Sequence, residues 1–396
     1  MAKLSSSNGL EKRPKLRFPE FKEPYRSARL GEIAVLINRT DPKSAAPIMM
    51  LSAGNGFIMQ SDKYSRYNAG QSLKKYILLK KGELAYNHGA SKAKQFGCCY
   101  ELLEDEALIP YVYHCFKVDK NEYTPYVAFL LNNPKIDRQL KRLVSSSARM
   151  DGLLNISFKD YMSINLSLPP YAEQKQVSDF IKRIDERIVI QEQLISSLKK
   201  YKRGVIKTIF DTLTPVSKSS IGKMATMFSG GTPRSDIVEY YNGSIPFIRS
   251  GEIHNDFTEL HLSQIGLDNS SAKMVRKGDL LYALYGATSG EVDISKIDGA
   301  INQAILCIRT NEISSEYLAL WLEINKNNIL SKMLQGGQGN LSGELVKSLV
   351  VPIYSKTEEQ VIVRIGNSIN KLIDANTNML YMLNKAKESL LQQMFI

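Results

Sequence analysis

The sequence predicts an α+β protein in which two globular regions with β-sheet cores are separated by two long α-helices, the whole forming an internal repeat. Three observations lead there. First, Val177, Ile181, Ile184, Ile188, Gln191, Ile195, Leu198, Lys202, Val205 and Ile209 are spaced alternately four and three apart, the heptad seam of a coiled coil. Second, the same seam recurs 185 positions later as Ile362, Gly366, Ile369, Ile373, Asn376, Leu380, Leu383, Lys387, Leu390 and Met394. The polar interruptions coincide, Gln191 with Asn376 and Lys202 with Lys387. Third, the regions before each helix share anchors in the same order, at offsets between 183 and 196.

Those anchors are short but ordered. Leu30-Gly31 is answered by Ile221-Gly222, and Lys80-Lys81-Gly82-Glu83-Leu84 by Arg276-Lys277-Gly278-Asp279-Leu280. Asn155-Ile156-Ser157 is answered by Asn340-Leu341-Ser342, and Leu168-Pro169 by Val351-Pro352. A structural unit used twice accounts for this better than coincidence. The expected organisation is a polar leader over 1–20, a first globular domain over 21–170, a helix over 171–213, a second domain over 214–352 and a helix over 353–396.

Within the first domain, Ile33–Ile37, Tyr76–Leu79, Glu83–Tyr86 and Tyr111–Val118 read as strands divided by Gly and Asn turns. Pro125–Leu143 reads as a helix that Pro134 interrupts or kinks. Pro169-Pro170 ends the domain. The first long helix carries acids early (Glu173, Asp179, Glu186) and bases late (Lys199, Lys200, Lys202, Arg203, Lys207), the order the helix dipole favours. In the second domain, Ile245–Arg249, Asp279–Tyr285 and Ala304–Ile308 read as strands, and Ser315 to about Leu334 as a helix.

A helix of about 34 residues is roughly 50 Å long and buries one stripe, so it needs a partner. The second copy supplies one, parallel or antiparallel. An antiparallel pair would relate the halves by a pseudo-two-fold axis and could set Gln191 against Asn376; otherwise these polar groups occupy a wetter stretch of seam.

Composition narrows the function. A chain of 396 residues exceeds one ordinary core. Its 43% hydrophobic and 23% charged content fits a globular, non-membrane protein, and no apolar run reaches the ~18 residues of a membrane span. The opening MAKLSSSNGLEKRPKLRF has no segment of signal-peptide type. Cys98, Cys99, Cys115 and Cys307 have neither metal spacing nor a disulfide pattern, so the cytoplasm is the expected compartment. The net charge of +12 favours a polyanionic partner, since neutralised phosphates release counterions.

Enzymatic motifs are wanting. Pro169-Pro170-Tyr171 resembles part of an adenine methyltransferase loop, but Leu168 replaces the Asn or Asp that would grip the target amino group. No Gly-rich loop holds a nucleotide cofactor, and Ser229-Gly230-Gly231-Thr232-Pro233-Arg234 lacks the Gly-Lys-Ser/Thr of a triphosphate loop. That turn either offers N–H groups and a guanidinium to phosphate or is a plain loop. His88, His114, His254 and His261 do not pair at metal spacing; His88, in the basic loop Asn87–Lys94, is the one to watch. The loops holding Gln338 and Asn340, and running from Arg149 to Asn155, carry amides and cations suited to base edges, or are simply solvated.

Several strings together resemble the specificity subunit of type I restriction–modification systems. They are Ser229–Pro233 with Tyr240-Tyr241-Asn242-Gly243-Ser244-Ile245-Pro246-Phe247-Ile248; Lys277–Leu281 leading to Tyr285-Gly286-Ala287-Thr288-Ser289-Gly290; Ala300-Ile301-Asn302-Gln303; and Gln338–Ser342. Each half closes on a proline followed by a Glu-Gln helix start, Glu173-Gln174 and Glu359-Gln360, and Lys15–Phe21 is typical of such leaders. The resemblance covers essentially the whole chain.

It implies two target-recognition domains, each reading half of a split double-stranded DNA sequence, on an antiparallel coiled-coil spacer with a pseudo-two-fold repeat. The chain would have no catalytic residue, metal or cofactor of its own. It would dock two methyltransferase subunits and two restriction–translocase subunits, which carry S-adenosylmethionine, ATP and Mg. The candidate DNA contacts are Arg39, Thr40, Asn87, His88, Lys92, Lys94 and Arg149 in the first domain. In the second they are Gly230, Gly231, Thr232, Arg234, Arg249, Ser250, Tyr285, Thr288, Gln338 and Asn340. The first domain departs from the family pattern by having Asn38-Arg39-Thr40 where Ser-Gly-Gly-Thr-Pro is expected, so the two half-sites should differ. The rival readings are a stand-alone methyltransferase or nuclease, and a coiled-coil scaffold without sequence preference.

Overall fold

The computed structural model describes residues 14–63, 70–91, 94–144, 154–335 and 341–396. These form two compact units: Met1–Gln191 with Met379–Ile396, and Glu192–Asn378. Both long helices, Tyr171–Thr212 and Lys356–Met394, run through both units.

The first unit is built on a four-stranded antiparallel sheet in the order Ala34–Leu36, His114–Val118, Leu84–Asn87, Cys98–Glu101. A separate ladder pairs Arg26–Arg29 with Asn165–Leu168 at the foot of the first long helix. Thr124–Leu131 and Pro134–Leu143 are two helices, because Pro134 ends one and Asn133 caps the next by accepting from the Lys135 N–H. Ile33 lies in a single helical turn, Leu30–Ile33, and the strand expected from Ile33 begins at Ala34. The strand expected from Tyr111 begins at His114.

The second unit repeats this plan. Its four-stranded antiparallel sheet has the order Ala225–Ser229, Ile305–Thr310, Leu280–Ala283, Val292–Ile294, and Ser217–Ser220 pairs with Val350–Ile353. A second sheet, in the order His261–Leu262, Ile245–Ile248, Gly299–Ile301, Lys273–Val275, carries a parallel pair at its centre.

The sequence anchors turn out to be shared structural devices. Gly82 and Gly278 have φ of 81° and 96°, a left-handed conformation that glycine adopts without steric cost. The acid that follows closes the turn: a Glu83 carboxylate oxygen accepts from the Lys80 N–H at 2.7 Å, and one of Asp279 from the Arg276 N–H at 2.8 Å. Ser157 and Ser342 both cap short helices. The Glu-Gln match is out of step by one residue. Gln174 and Glu359 are the true counterparts, their Oε1 atoms accepting from the backbone N–H of Tyr123 and of Ser314 at 2.9 and 2.7 Å.

All ten positions of each heptad seam are buried or half-buried, while Val189, Ile190, Leu194 and Tyr201 beside them are exposed. Within the first unit, Val177 and Ile181 share a core with Leu390, Leu391, Met394 and Phe395, and Lys387 pairs with Asp185 at 2.5 Å. Within the second, Ile209 and Phe210 share a core with Ile362 and Val363. Within the first unit the two helical segments therefore run antiparallel. The seam lysines take different partners, since buried Lys202 meets Glu323 of the helix Ser315–Gln335. No helix among the described residues is long and apolar enough to cross a membrane.

The leader is tied down from Leu16 onward. Its N–H donates to the Gln393 carbonyl at 3.1 Å. Arg17 forms a two-pronged pair with buried Glu173 at 2.8 and 2.7 Å, and the Tyr25 hydroxyl also donates to Glu173, at 3.0 Å.

Phe395 is fully buried and stacks on Tyr126 with ring centres 5.1 Å apart. The corresponding residue in the second unit is Phe210, edge-on to Tyr317 at 5.9 Å. Phe395→Ala should cost about 3–5 kcal/mol of stability in the first unit, as for other buried aromatics, visible as a lowered urea midpoint. Conversion of the exposed Val35 to Ala should leave that midpoint within about 0.5 kcal/mol of the parent.

Candidate nucleic-acid interface

In the first unit the structure takes several expected DNA contacts into the scaffold. Arg39 donates from Nε to the Leu78 carbonyl at 3.0 Å and from Nη2 to buried Glu83 at 2.6 Å. It braces the Gly82 turn with two of its five guanidinium N–H groups. His88 is buried, with Nδ1 2.7 Å from the Leu154 carbonyl and Nε2 2.9 Å from that of Val112. It stacks on His114 at 5.1 Å. Both ring nitrogens are thus occupied inside the protein, which corrects its expected place on the DNA surface. The basic loop around it misled the sequence reading, because a loop residue directly after a strand can still point into the core.

Lys94 donates to the Asn132 carbonyl at 2.8 Å, and the Asn87 side chain accepts from the Gly89 N–H at 2.9 Å. Thr40 is exposed. Lys92 and Arg149 lie outside the described residues, as do Gln338 and Asn340 of the second unit.

In the second unit, close packing leaves room only for glycine at Gly230 and Gly231. A Cβ on Gly230 would lie 1.8 Å from the Ile301 carbonyl oxygen, and one on Gly231 2.0 Å from the Ser271 hydroxyl. The turn is pressed against the strand Gly299–Ile301, which brings the Thr232 hydroxyl onto the Gln303 side-chain oxygen. Arg234 is exposed and paired with Asp236 at 2.7 Å. Tyr285 is half-buried against the core, and the Thr288 carbonyl accepts from the Glu291 N–H at 2.9 Å.

Thr232 and Arg249, far apart in sequence, border one cavity of about 340 Å³ with Tyr241, Phe247 and Asn302. Ser250 follows in a short 3₁₀ turn, Ser250–Glu252. Arg249 donates from Nε and Nη2 to Glu252 at 2.9 and 3.0 Å, and again from Nη2 to Glu259 at 2.6 Å. Burial alone would push the Glu252 carboxyl up. The Arg249 guanidinium and the backbone N–H groups of Glu259 and Arg249 outweigh burial and hold it below the usual carboxylate range. Asn302, Glu252 and Glu259 were missed as candidates, although Arg249, Ser250 and the Ala300–Gln303 string had marked their neighbourhood.

A second charged cluster lies nearby. His254 Nδ1 is 2.9 Å from Asp293 and Nε2 is 3.3 Å from Glu291, with Lys296 3.8 Å from Asp293 and Lys326 2.5 Å from Glu291. Hydrogen bonding to Asp293 raises the imidazole pKa against the opposing cost of burial.

Two predictions follow from these environments. His88→Ala should lower the unfolding temperature of the first unit, because the carbonyls of Leu154 and Val112 lose their partner. Because the folded pKa of His254 is raised, the stability it contributes is fully present below its unfolded value of about 6.5 and is lost as pH rises through the folded value. Thermal unfolding of the second unit should therefore show a decline over that interval that His254→Gln flattens.

Residues 215–383 match the family model of the type I restriction modification DNA specificity domain. Among curated proteins, the putative type I restriction enzyme MjaX specificity subunit of Methanocaldococcus jannaschii is 22% identical over 296 residues, covering 69% of this chain and 68% of that protein. The MjaIX specificity subunit of the same organism is 26% identical over 185 residues, covering 44% of this chain and 42% of its own length. Among solved structures, the type I restriction–modification S subunit from M. genitalium aligns with a TM-score of 0.57 at 14% identity, covering 97% of this chain and 99% of that one. A chain from a study of complex assembly and conformational transition in a type I system gives 0.58 at 15%, covering 95% and 98%. With the repeat and sheet order already described, these likenesses lead to one conclusion: residues 215–383 form a type I restriction modification DNA specificity domain, and the chain as a whole is similar to the specificity subunits of such systems.

Proposed function

We propose that the chain is the DNA-reading subunit of such a system and that each unit reads one half of a bipartite double-stranded target. The observation that carries this reading is the duplicated frame: the same sheet order, turn glycine, acid and helix cap recur in both units, on helices that run through both. DNA has local two-fold symmetry, so two related readers suit two half-sites with an unread gap. The halves differ in the loops between the shared anchors, so the half-sites differ. The chain supplies recognition alone. Methylation of adenine and cleavage belong to partner subunits in the cytoplasm, two methyltransferase and two restriction–translocase copies, which bring S-adenosylmethionine, ATP and Mg. Exposed apolar side chains on the helices, Val189, Ile190 and Tyr381 in the first unit and Leu194, Tyr201 and Leu372 in the second, support docking of protein partners.

Methylome sequencing of cells carrying the system tests the reading. The expected result is methylated adenines in a split motif; their absence, or methylation by the purified chain alone, would overturn it. One heptad inserted after Gln191 and after Asn376 adds about 10 Å of helix. The unread gap should then lengthen by about three base pairs with both half-sites unchanged.

A further inference from the structure

Arg249 is poorly placed to anchor a phosphate and well placed to read a base. Two carboxylates, Glu252 and Glu259, flank its single positive charge, so the local balance is negative and repels the DNA backbone. They also fix its orientation. Three of the five guanidinium N–H groups are spent on them, one from Nε and two from Nη2. The two on Nη1 remain.

The same cavity is bordered by Asn302. Its Oδ1 accepts from the Ala304 N–H at 3.2 Å, which leaves its amide NH₂ to donate. Apart from the hydroxyl residues Thr232 and Ser235, the rest of the cavity wall is apolar, formed by Tyr241, Phe247 and Leu260. The Tyr241 hydroxyl donates to the Pro233 carbonyl at 2.7 Å and so holds the glycine turn beside the cavity. Such a rim offers donors from two side chains at an apolar recess. In the major groove only guanine presents two acceptors, N7 and O6, with no donor between them; adenine and cytosine each put an amino group there, and thymine has a single acceptor beside a methyl.

We propose that Arg249 and Asn302 determine specificity by donating to the acceptor edge of a guanine in the half-site read by the second unit, with Glu252 and Glu259 as positioning residues. This rests on the DNA-reading function above. The charge arrangement separates it from a general phosphate contact, because a reader changes selectivity and a phosphate anchor changes salt dependence.

The test uses the complete complex with Arg249→Gln or Asn302→Asp, the latter keeping the shape and the acceptor for Ala304. Methylome sequencing should show one G·C requirement in one half-site relaxed, the other half-site intact. Competition binding with single-base-pair variants of the target should show discrimination at that position reduced about tenfold to a hundredfold, with the slope of log affinity against log salt as in the parent. An unchanged motif and discrimination profile would overturn the proposal. So would a uniform loss across all sequences with a slope smaller by about one. If a variant complex methylates nothing, the competition profile decides by the same criteria; if Arg249→Gln fails to fold, Asn302→Asp decides alone. A parent complex with no split motif would instead sink the DNA-reading function itself, and the two failures are thereby told apart.

Discussion

Each globular unit is fastened to a long helix by one buried polar side chain near that helix's start. Gln174 and Glu359 reach out to cap a neighbouring segment, accepting from the backbone N–H groups of Tyr123 and Ser314 at the entrances to the helices Thr124–Leu131 and Ser315–Gln335. A buried amide or carboxylate without partners would cost several kcal/mol. At a helix N-terminus it instead satisfies an orphan donor, and the Glu359 charge lies at the favourable end of the dipole. Gln174 spends its NH₂ group on Glu122 and the Pro169 carbonyl at 2.6 and 2.9 Å. The angle between sheet and helix in each unit is therefore set by hydrogen bonds with direction, not only by apolar contact.

That fastening lets the surfaces diverge. The pairs conserved between the halves of this chain are those that hold backbone: a left-handed glycine, an acid closing its turn, a serine cap, an aromatic from a helix end. The loops outside this frame are free to vary. In the first unit His88 was drawn into the frame itself, while Arg39 and Arg249 are each held by a carboxylate with part of their donor sets unspent.

The sequence made the helices, the duplication and most strands legible, because heptad spacing and repeated turns are local patterns with strong physical causes. Pro134 marked the break between two helices for the same reason. What the sequence concealed was direction. Nothing in Asn87–Lys94 announces that the imidazole of His88 turns inward to two carbonyls, and nothing in Ser229–Pro233 announces that Ile301 and Ser271 crowd the two glycines. The Glu-Gln string was matched one residue out of step because residue types repeat there, whereas hydrogen-bond partners do not. Base readout depends on such directions, so the candidate site was the least legible part.

The burial of Met394 and Phe395 among residues of the first unit has a consequence for synthesis. Residues 379–396 leave the ribosome only after the whole stretch 192–378 that makes up the second unit. The second unit can close its core as a continuous chain, whereas the first holds Tyr126 uncovered until Phe395 arrives. The core of the first unit thus depends on the last-made segment, whereas the second unit is one continuous stretch of chain.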